Sequence, residues 1–399
     1  MRVESESAPV IEPSRPATPA PGHLRVRLSA QEGCQALQVG GVSSGPLSFR
    51  REGDRVRSST GELAPGFDLR PAPGAPGLVI GERSYPGRLR VEADGRRGLR
   101  VENHVDLEDY VAGVVPAELI LWSAEGAEIE AQAIAARTYA LRSVATRHVF
   151  AERAFLWDDT RDQVYVGSFR MDDSAGARKV LARLERGLAR SRGRVLVNGD
   201  GELYDVRFHA SCGGSTTSPG EAFPLESRQL HAPVECAPCR AIGREERAWP
   251  RDDPRRRRVH WRWTASAQEL ERLARALSLG PRILSLRAPE VDPHGRWRSV
   301  ELEGERGRLR ISLERLRAGL GAADLKSGVV LETWPALGAP LTGGLHFEGL
   351  GRGHGAGLCQ VGSHEYALRG WTAPTILGHY LPGAFLVDLP PAPAAVEGR

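Results

Sequence analysis

From His23 to about Arg100 apolar and polar residues alternate in short runs, among them LRVRLSA, ALQVGG, LSFRREG, GLVIGERSY and GRLRVEADGRRGLRVEN, broken by turn residues. Period-two alternation broken so often predicts small strands joined by tight turns, in antiparallel pairs. Residues 1–22, rich in Pro, Ser and Ala, have nothing to bury and read as a disordered tail. Cys34, alone in this region, reads as a small buried hydrophobe.

The period changes after residue 106. From about Ala124 to Arg147 the chain is Ala-rich, with Ile129, Ala133, Ala136 and Ala140 on one stripe and Ile134, Leu141 and Val144 beside it. This predicts a helix with Ser123 as its N-cap. A second helix is expected over about 173–191, followed by a hairpin in RVLVNGDGELYDVRFHAS, whose Asn-Gly-Asp-Gly run is a turn signal. Residues 259–331 read as a strand, a helix (AQELERLARAL), two or three strands and a short helix, a compact αβ insertion. A glycine-rich loop, a helix and a last strand, AFLVDL, come after about Pro340. The fold class is α+β. The expected segments are a tail (1–22), a β-rich region (23–100), a core (101–258) interrupted by the insertion (259–331) and resumed (332–389), and a second tail (390–399).

The 399 residues, 41% hydrophobic and 26% charged, are those of an ordinary globular protein of two or three domains. The net charge of +4 rests almost wholly on arginine, Lys179 and Lys326 being the only lysines. Arg255–Arg258 lies between Asp252–Asp253 and the strand-like VHWRW and reads as a solvated loop, so nucleic acid is not expected as a partner. No segment approaches the roughly 18 apolar residues of a membrane span, and the acidic, Pro-rich beginning lacks the apolar stretch of a signal peptide. Either the protein is cytosolic, or the true start or an anchor lies outside this sequence.

Three constellations could carry chemistry. His209 and Cys212 have H-x2-C spacing, and Cys236 and Cys239 have C-x2-C spacing, which suits a tetrahedral zinc with two donors from each turn. A Cys236–Cys239 disulfide and a redox C-x-x-C remain open, although Pro238 in a Pro-rich loop is unlike a redox motif opening a helix. Four donors would close the site and make it structural, with His231 as a spare. In YVAGVVPAEL, Glu118 follows an apolar run that suits a carboxyl to proton donation, unless it serves as a favourable charge at a helix N-terminus. In GRGHGAGLCQVG (351–362), alternating glycines let the backbone approach a ligand and bring His354 and Gln360 to a cleft, unless the turn is purely structural. It is not a phosphate loop, and His346, His364 and His379 fit no ligand spacing.

Three motifs, in order, resemble the SpoIID/LytB family: YVAGVVPAE with AQAIAARTYAL, then DQVYVG with FHASCGGSTT, then GRGHGAGLCQVGSHEYA with ILGHYLPG. The resemblance spans about residues 80–389. It implies a lytic transglycosylase of peptidoglycan glycan strands, sporulation members preferring strands stripped of stem peptides, with Glu118 as the catalytic acid. It also implies a structural zinc, for which His209, Cys212, Cys236 and Cys239 are the expected ligands. Tyr110, Arg137, Thr138 and Tyr139, with Ser211, Gly213, Gly214, His354 and Gln360, would line or support the cleft. The enhancer branch of the family implies an alternative, a non-catalytic peptidoglycan-binding protein that stimulates a cell-wall amidase. The cell envelope is the expected location. Three features depart from the family: no N-terminal anchor is visible, Cys359 stands where many relatives have Ser and reads as packing, and the Arg-rich composition and extra β region do not imply sporulation rather than division or general wall remodelling.

Overall fold

The computed structural model describes residues 23–95, 97–147, 155–248, 259–321 and 325–390. The expected tail at 1–22, all but the first residue of that at 390–399, and the Arg255–Arg258 loop lie outside these residues. The fold is mixed α+β, 30% helix and 31% strand. It comprises two compact units, one holding the chain up to Tyr204 together with the residues from Gly383, the other Asp205–Pro382. Neither boundary coincides with those read from the sequence at 100, 258 and 331.

In the first unit the alternating runs form antiparallel strands. Leu99–Asp106 lies between His23–Arg27 and Arg88–Ala93, antiparallel to both. Leu156–Trp157 and Gly66–Leu69 are the edges of this five-stranded sheet. A second, four-stranded sheet spans Ala36–Ala64, and Leu78–Ile80 pairs with Arg83–Tyr85 as a hairpin. Leu24, Val26, Leu89, Val91, Val101 and Val105 share one core with Tyr110, Val111, Val114 and Val115 of helix α1 (Leu107–Glu118). Asp106 ends the central strand and caps α1, its carboxylate accepting the Glu108 N–H at 2.8 Å. The Ala-rich helix α2 (Gly126–Arg147) packs against α1 and α3 (Ala175–Ser191).

The start of α2 differs from the sequence expectation. Ser123 does not cap it: its hydroxyl donates to Ile120 O at 3.3 Å, and the Glu128 carboxylate accepts the Glu125 N–H at 3.0 Å. Small residues allow the burial of almost every side of α2, which no single apolar stripe would require. The NGDG turn forms, Asn198 Oδ1 accepting from Asp200 and Glu202 N–H groups. Arg194–Val197 nevertheless takes as its ladder partner the last strand, Phe385–Asp388.

In the second unit, short helices α4 (Pro219–Ala222) and α5 (Ala237–Ala248) precede a three-stranded sheet in the order His260–Ala265, Leu345–Leu350, Val329–Trp334. A meander of Ile283–Val291, Trp297–Gly304 and Gly307–Ser312 lies between α6 (Ala267–Ala276) and α7 (Leu313–Leu320). The expected order of elements across 259–331 is present. Its first strand pairs with Leu345–Leu350, and Val330, Leu345 and Phe347 share its core. Helices α8 (Gln360–Leu368) and α9 (Ala373–Tyr380) complete the unit.

Candidate functional site

Two sites are described separately, one in each unit. In the first, Glu118 is the last residue of α1, at the end opposite to the helix N-terminus considered above. That is the negative end of the peptide dipole, where a carboxylate gains nothing from the helix. Glu118 is half-buried, and its Oε1 accepts the Val164 N–H at 2.9 Å. Val164 belongs to a strap, residues 162–168, tied along its length. Asp162 accepts from Tyr139 Oη at 2.8 Å, from the Arg147 guanidinium and from the Trp157 N–H. Gln163 donates to Tyr110 Oη at 3.1 Å, and Tyr165 donates to Asn103 Oδ1 at 2.8 Å while stacking on Tyr110. Ser168 N–H donates to Ser84 O at 2.7 Å. Gly113 makes the approach of the strap possible, because a Cβ there would stand 2.5 Å from Gly167 O and from the Tyr165 ring.

The family-motif residues near Glu118 are therefore interior. Tyr110 is fully buried, and burial pushes its hydroxyl well above the ordinary tyrosine range. Arg137, also fully buried, makes a two-pronged ion pair with Glu108 at 2.8 and 2.6 Å and donates to Ser191 O and Arg194 O. The Thr138 hydroxyl donates to Ile134 O and accepts the Leu196 N–H. Tyr110, Arg137, Thr138 and Tyr139, expected to line or support the cleft, engage α1, α2 and the strap through these polar atoms. A groove of about 460 Å³ opens beside the end of α1, with Pro116 and Ala117 in one wall.

In the second unit four thiols meet. The Sγ atoms of Cys212, Cys236, Cys239 and Cys359 all lie within 4.8 Å of one another, all four residues are buried, and none forms a disulfide. The fourth member is Cys359, where the sequence suggested His209. These residues are neighbours on paired strands, Phe208–His209 running parallel to Leu358–Cys359. His209 Nδ1 faces Ala356 O at 3.0 Å, a contact the imidazole makes as donor, and burial lowers its pKa to about 4. His231 is exposed beside Ala232 O and does not join the thiols. Cys359, expected to be simple packing, instead caps α8, its sulfur accepting the Gly362 N–H at 3.4 Å. The C-x-x-C segment opens α5 with Pro238 in its first turn, so the Pro-rich loop expected there is helical.

This donor set fits a closed metal site. A tetrahedral zinc with arms of ~2.3 Å needs sulfurs ~3.8 Å apart, and Cys239 Sγ lies 3.5 Å from Cys359 Sγ. Hydrogen bonds from Cys212, Cys239 and Cys359 hold the Cys236 thiol far below its usual range, while Cys239 and Cys359 are pushed well up, by their thiol neighbours and by burial respectively. Gly214 N–H and Tyr380 Oη also contact the sulfurs, at 3.4 and 3.1 Å.

Around the thiols the glycine-rich loop folds onto the 207–215 segment. Gly357 has φ 72°, and a Cβ on it would stand 2.1 Å from Arg207 O, so only glycine fits. Ser211, buried, exchanges backbone hydrogen bonds with Arg352. Gly213 and Gly214 both have positive φ in the next turn. His354 Nδ1 accepts the Ala356 N–H at 3.0 Å, and its ring meets those of His209 and Phe223 edge-on at 5.6 and 4.9 Å. Burial, then the His209 and Arg207 charges, hold His354 well below the usual histidine range. Gln360 opens α8. Arg296, unnoticed in the sequence because one arginine among many carries no pattern, is buried and donates to Cys212 O and Ser215 O at 3.0 and 3.1 Å.

Comparison with known proteins bears on these sites. Residues 95–197, which include α1, Glu118, the strap and α3, match the family model described as SpoIID, Stage II sporulation protein. An uncharacterized protein of Brachyspira hyodysenteriae is 26% identical over 297 residues, covering 72% of this chain and 68% of that protein.

Proposed function

We propose, from the SpoIID family domain that the chain carries over residues 95–197, that this protein is a lytic transglycosylase of peptidoglycan glycan strands. The family is associated with peptidoglycan remodelling. The observation that carries the reading is the placement of Glu118: a half-buried carboxyl at the end of α1, fixed by the Val164 N–H and following Ala117, which lines a groove.

Hydrolysis of a glycosidic bond generally needs two carboxyl groups. A lytic transglycosylase needs one, because the C6 hydroxyl of the muramyl sugar attacks its own anomeric carbon. Glu118 first gives its proton to the leaving glycosidic oxygen, then, as carboxylate, takes the proton of the C6 hydroxyl as the 1,6-anhydro ring closes. The Val164 N–H holds one carboxyl oxygen of Glu118 at 2.9 Å and so fixes the orientation of the group. The thiols Cys212, Cys236, Cys239 and Cys359 would hold a zinc ion, which with four protein sulfurs has no open position and supplies structure rather than activated water. This favours the transglycosylase over a zinc hydrolase. Such a substrate places the protein in the cell envelope, and among the described residues no helix is long and apolar enough to cross a membrane.

Purified strands stripped of stem peptides, incubated with the wild type and with Glu118→Gln and examined by mass spectrometry, test the reading. Anhydro-muramyl ends that vanish in the variant are expected. Reducing ends would mean a hydrolase, and intact strands with both proteins would move the assignment to a peptidoglycan-binding or amidase-stimulating role.

A further inference from the structure

The groove beside α1 is built from two parts of the chain. The SpoIID-matching region supplies Pro116 and Ala117 from the end of α1 and, beyond the strap, Phe169. The β-rich region before it, outside the family match, supplies Val79 and Arg83 from the hairpin Leu78–Ile80/Arg83–Tyr85. The Ser168 N–H to Ser84 O bond joins the parts, and the same strap, through the Val164 N–H, fixes the Glu118 carboxyl. Groove and carboxyl therefore share one rigid support.

Its lining divides by chemistry. Pro116, Ala117, Val79 and Phe169 offer an apolar floor, on which the carbon face or N-acetyl methyl of a sugar can pack. Arg83 and Arg170 are exposed at its rim, against Glu82 as the groove's acidic residue, leaving an excess of one positive charge. Among the described residues, neither arginine has a carboxylate within ion-pair distance. Two arginines and an apolar surface lining one groove suit a carboxylate carried on a sugar, since a guanidinium meets a carboxylate with two parallel donors.

We propose that this groove is an acidic-sugar subsite, in which Arg83 and Arg170 bind the free lactyl carboxylate of a muramyl residue. The inference rests on the peptidoglycan reading above and adds to it the group that selects the substrate. The N-terminal β region then acts as a specificity element laid against the family domain.

The test compares the full chain with Arg83→Gln/Arg170→Gln and with Arg83→Lys/Arg170→Lys, by calorimetric titration. Three tetrasaccharides serve as probes: alternating N-acetylglucosamine and N-acetylmuramic acid, the same compound with its carboxylates reduced to alcohols, and the N-acetylglucosamine tetramer. The glutamine pair should weaken binding of the first about tenfold and of the others less than about twofold, with partial recovery in the lysine pair. A strand bearing stem peptides, whose lactyl carboxyl is an amide, should behave like the neutral probes. Equal weakening for all probes, no weakening for any, or the same arginine dependence with the peptide-bearing strand would overturn the subsite. Both arginines are exposed, so unchanged thermal melting is expected and separates lost contact from lost fold. If the wild type produces anhydro ends and the arginine variants do not discriminate, this inference alone fails. If arginine-dependent binding occurs without cleavage, the transglycosylase reading fails and the subsite stands. If no probe binds the wild type, both fall.

Discussion

Glu118 and Arg137 show how differently two charged residues of one family region can serve. Glu118 is half-buried and accepts the Val164 N–H, a backbone hydrogen bond that glutamine can also accept. Glu118→Gln should therefore leave the melting temperature nearly unchanged while lowering the cleavage rate by about 10²–10⁴, the usual contribution of a general acid–base group. Arg137 is fully buried and answers both oxygens of Glu108 and the carbonyls of Ser191 and Arg194. Arg137→Met leaves those acceptors without a cation and should cost about 3–5 kcal/mol in a urea melt. Cleavage per folded molecule should change little. A proportional loss of rate in fully folded Arg137→Met protein would show that Arg137 acts on the chemistry and not on the scaffold alone.

At the scale of elements, the four thiols join segments of the second unit that lie far apart in the sequence. Cys212 follows a two-residue strand, Cys236 and Cys239 open α5, and Cys359 caps α8. Metal analysis of the purified protein should give about one zinc per chain; Cys359→Ser should lower that content and the melting temperature, whereas His209→Ala should keep the zinc. Retained zinc in Cys359→Ser together with loss in His209→Ala would restore the ligand set read from the sequence. That reading fell short because H-x2-C and C-x2-C are local spacings, while Cys359 lies 120 positions from Cys239 and arrives only through the parallel pairing of Phe208–His209 with Leu358–Cys359. Helix α6 was legible since Ser266 and Glu269 form a capping box on an apolar stripe. The true start of α2 was not, because Glu128 rather than Ser123 satisfies its first turn.

The three-stranded sheet of that unit carries a pH dependence of its own. Glu348 accepts from His260 at 2.7 Å and Arg262 at 2.7 Å. Burial works to raise its pKa, but Arg262 and His260 outweigh it and hold the group at about 2. An unfolded Glu protonates near 4.5, so the stabilisation is complete above that pH and lost as pH falls from there towards 2. Glu348→Gln should flatten this part of the acid-unfolding curve, measured by tryptophan fluorescence. An acid limb identical to that of the wild type would mean that the pair adds nothing to stability.

Within the first unit, strands of the region that matches the SpoIID model take their ladder partners from outside it. The match covers residues 95–197, yet its central strand, Leu99–Asp106, is flanked by His23–Arg27 and Arg88–Ala93, and its last, Arg194–Val197, by Phe385–Asp388. Leu24, Val26, Leu89 and Val91, from outside the match, complete the core on which Val111, Val114 and Val115 of α1 pack. The β-rich character of residues 23–93 was legible, because period-two alternation marks strands. Its partnership with the family domain was not, because antiparallel register does not appear in the hydrophobic pattern. A fragment of residues 95–197 would expose both edges of its main strand and that apolar face. It should show no cooperative thermal transition and should bind the hydrophobic dye ANS, while the full chain melts cooperatively. A cooperative melt of the fragment would mean that the outer strands decorate a self-sufficient domain, and the groove wall that they provide would then be an addition to the site rather than part of its foundation.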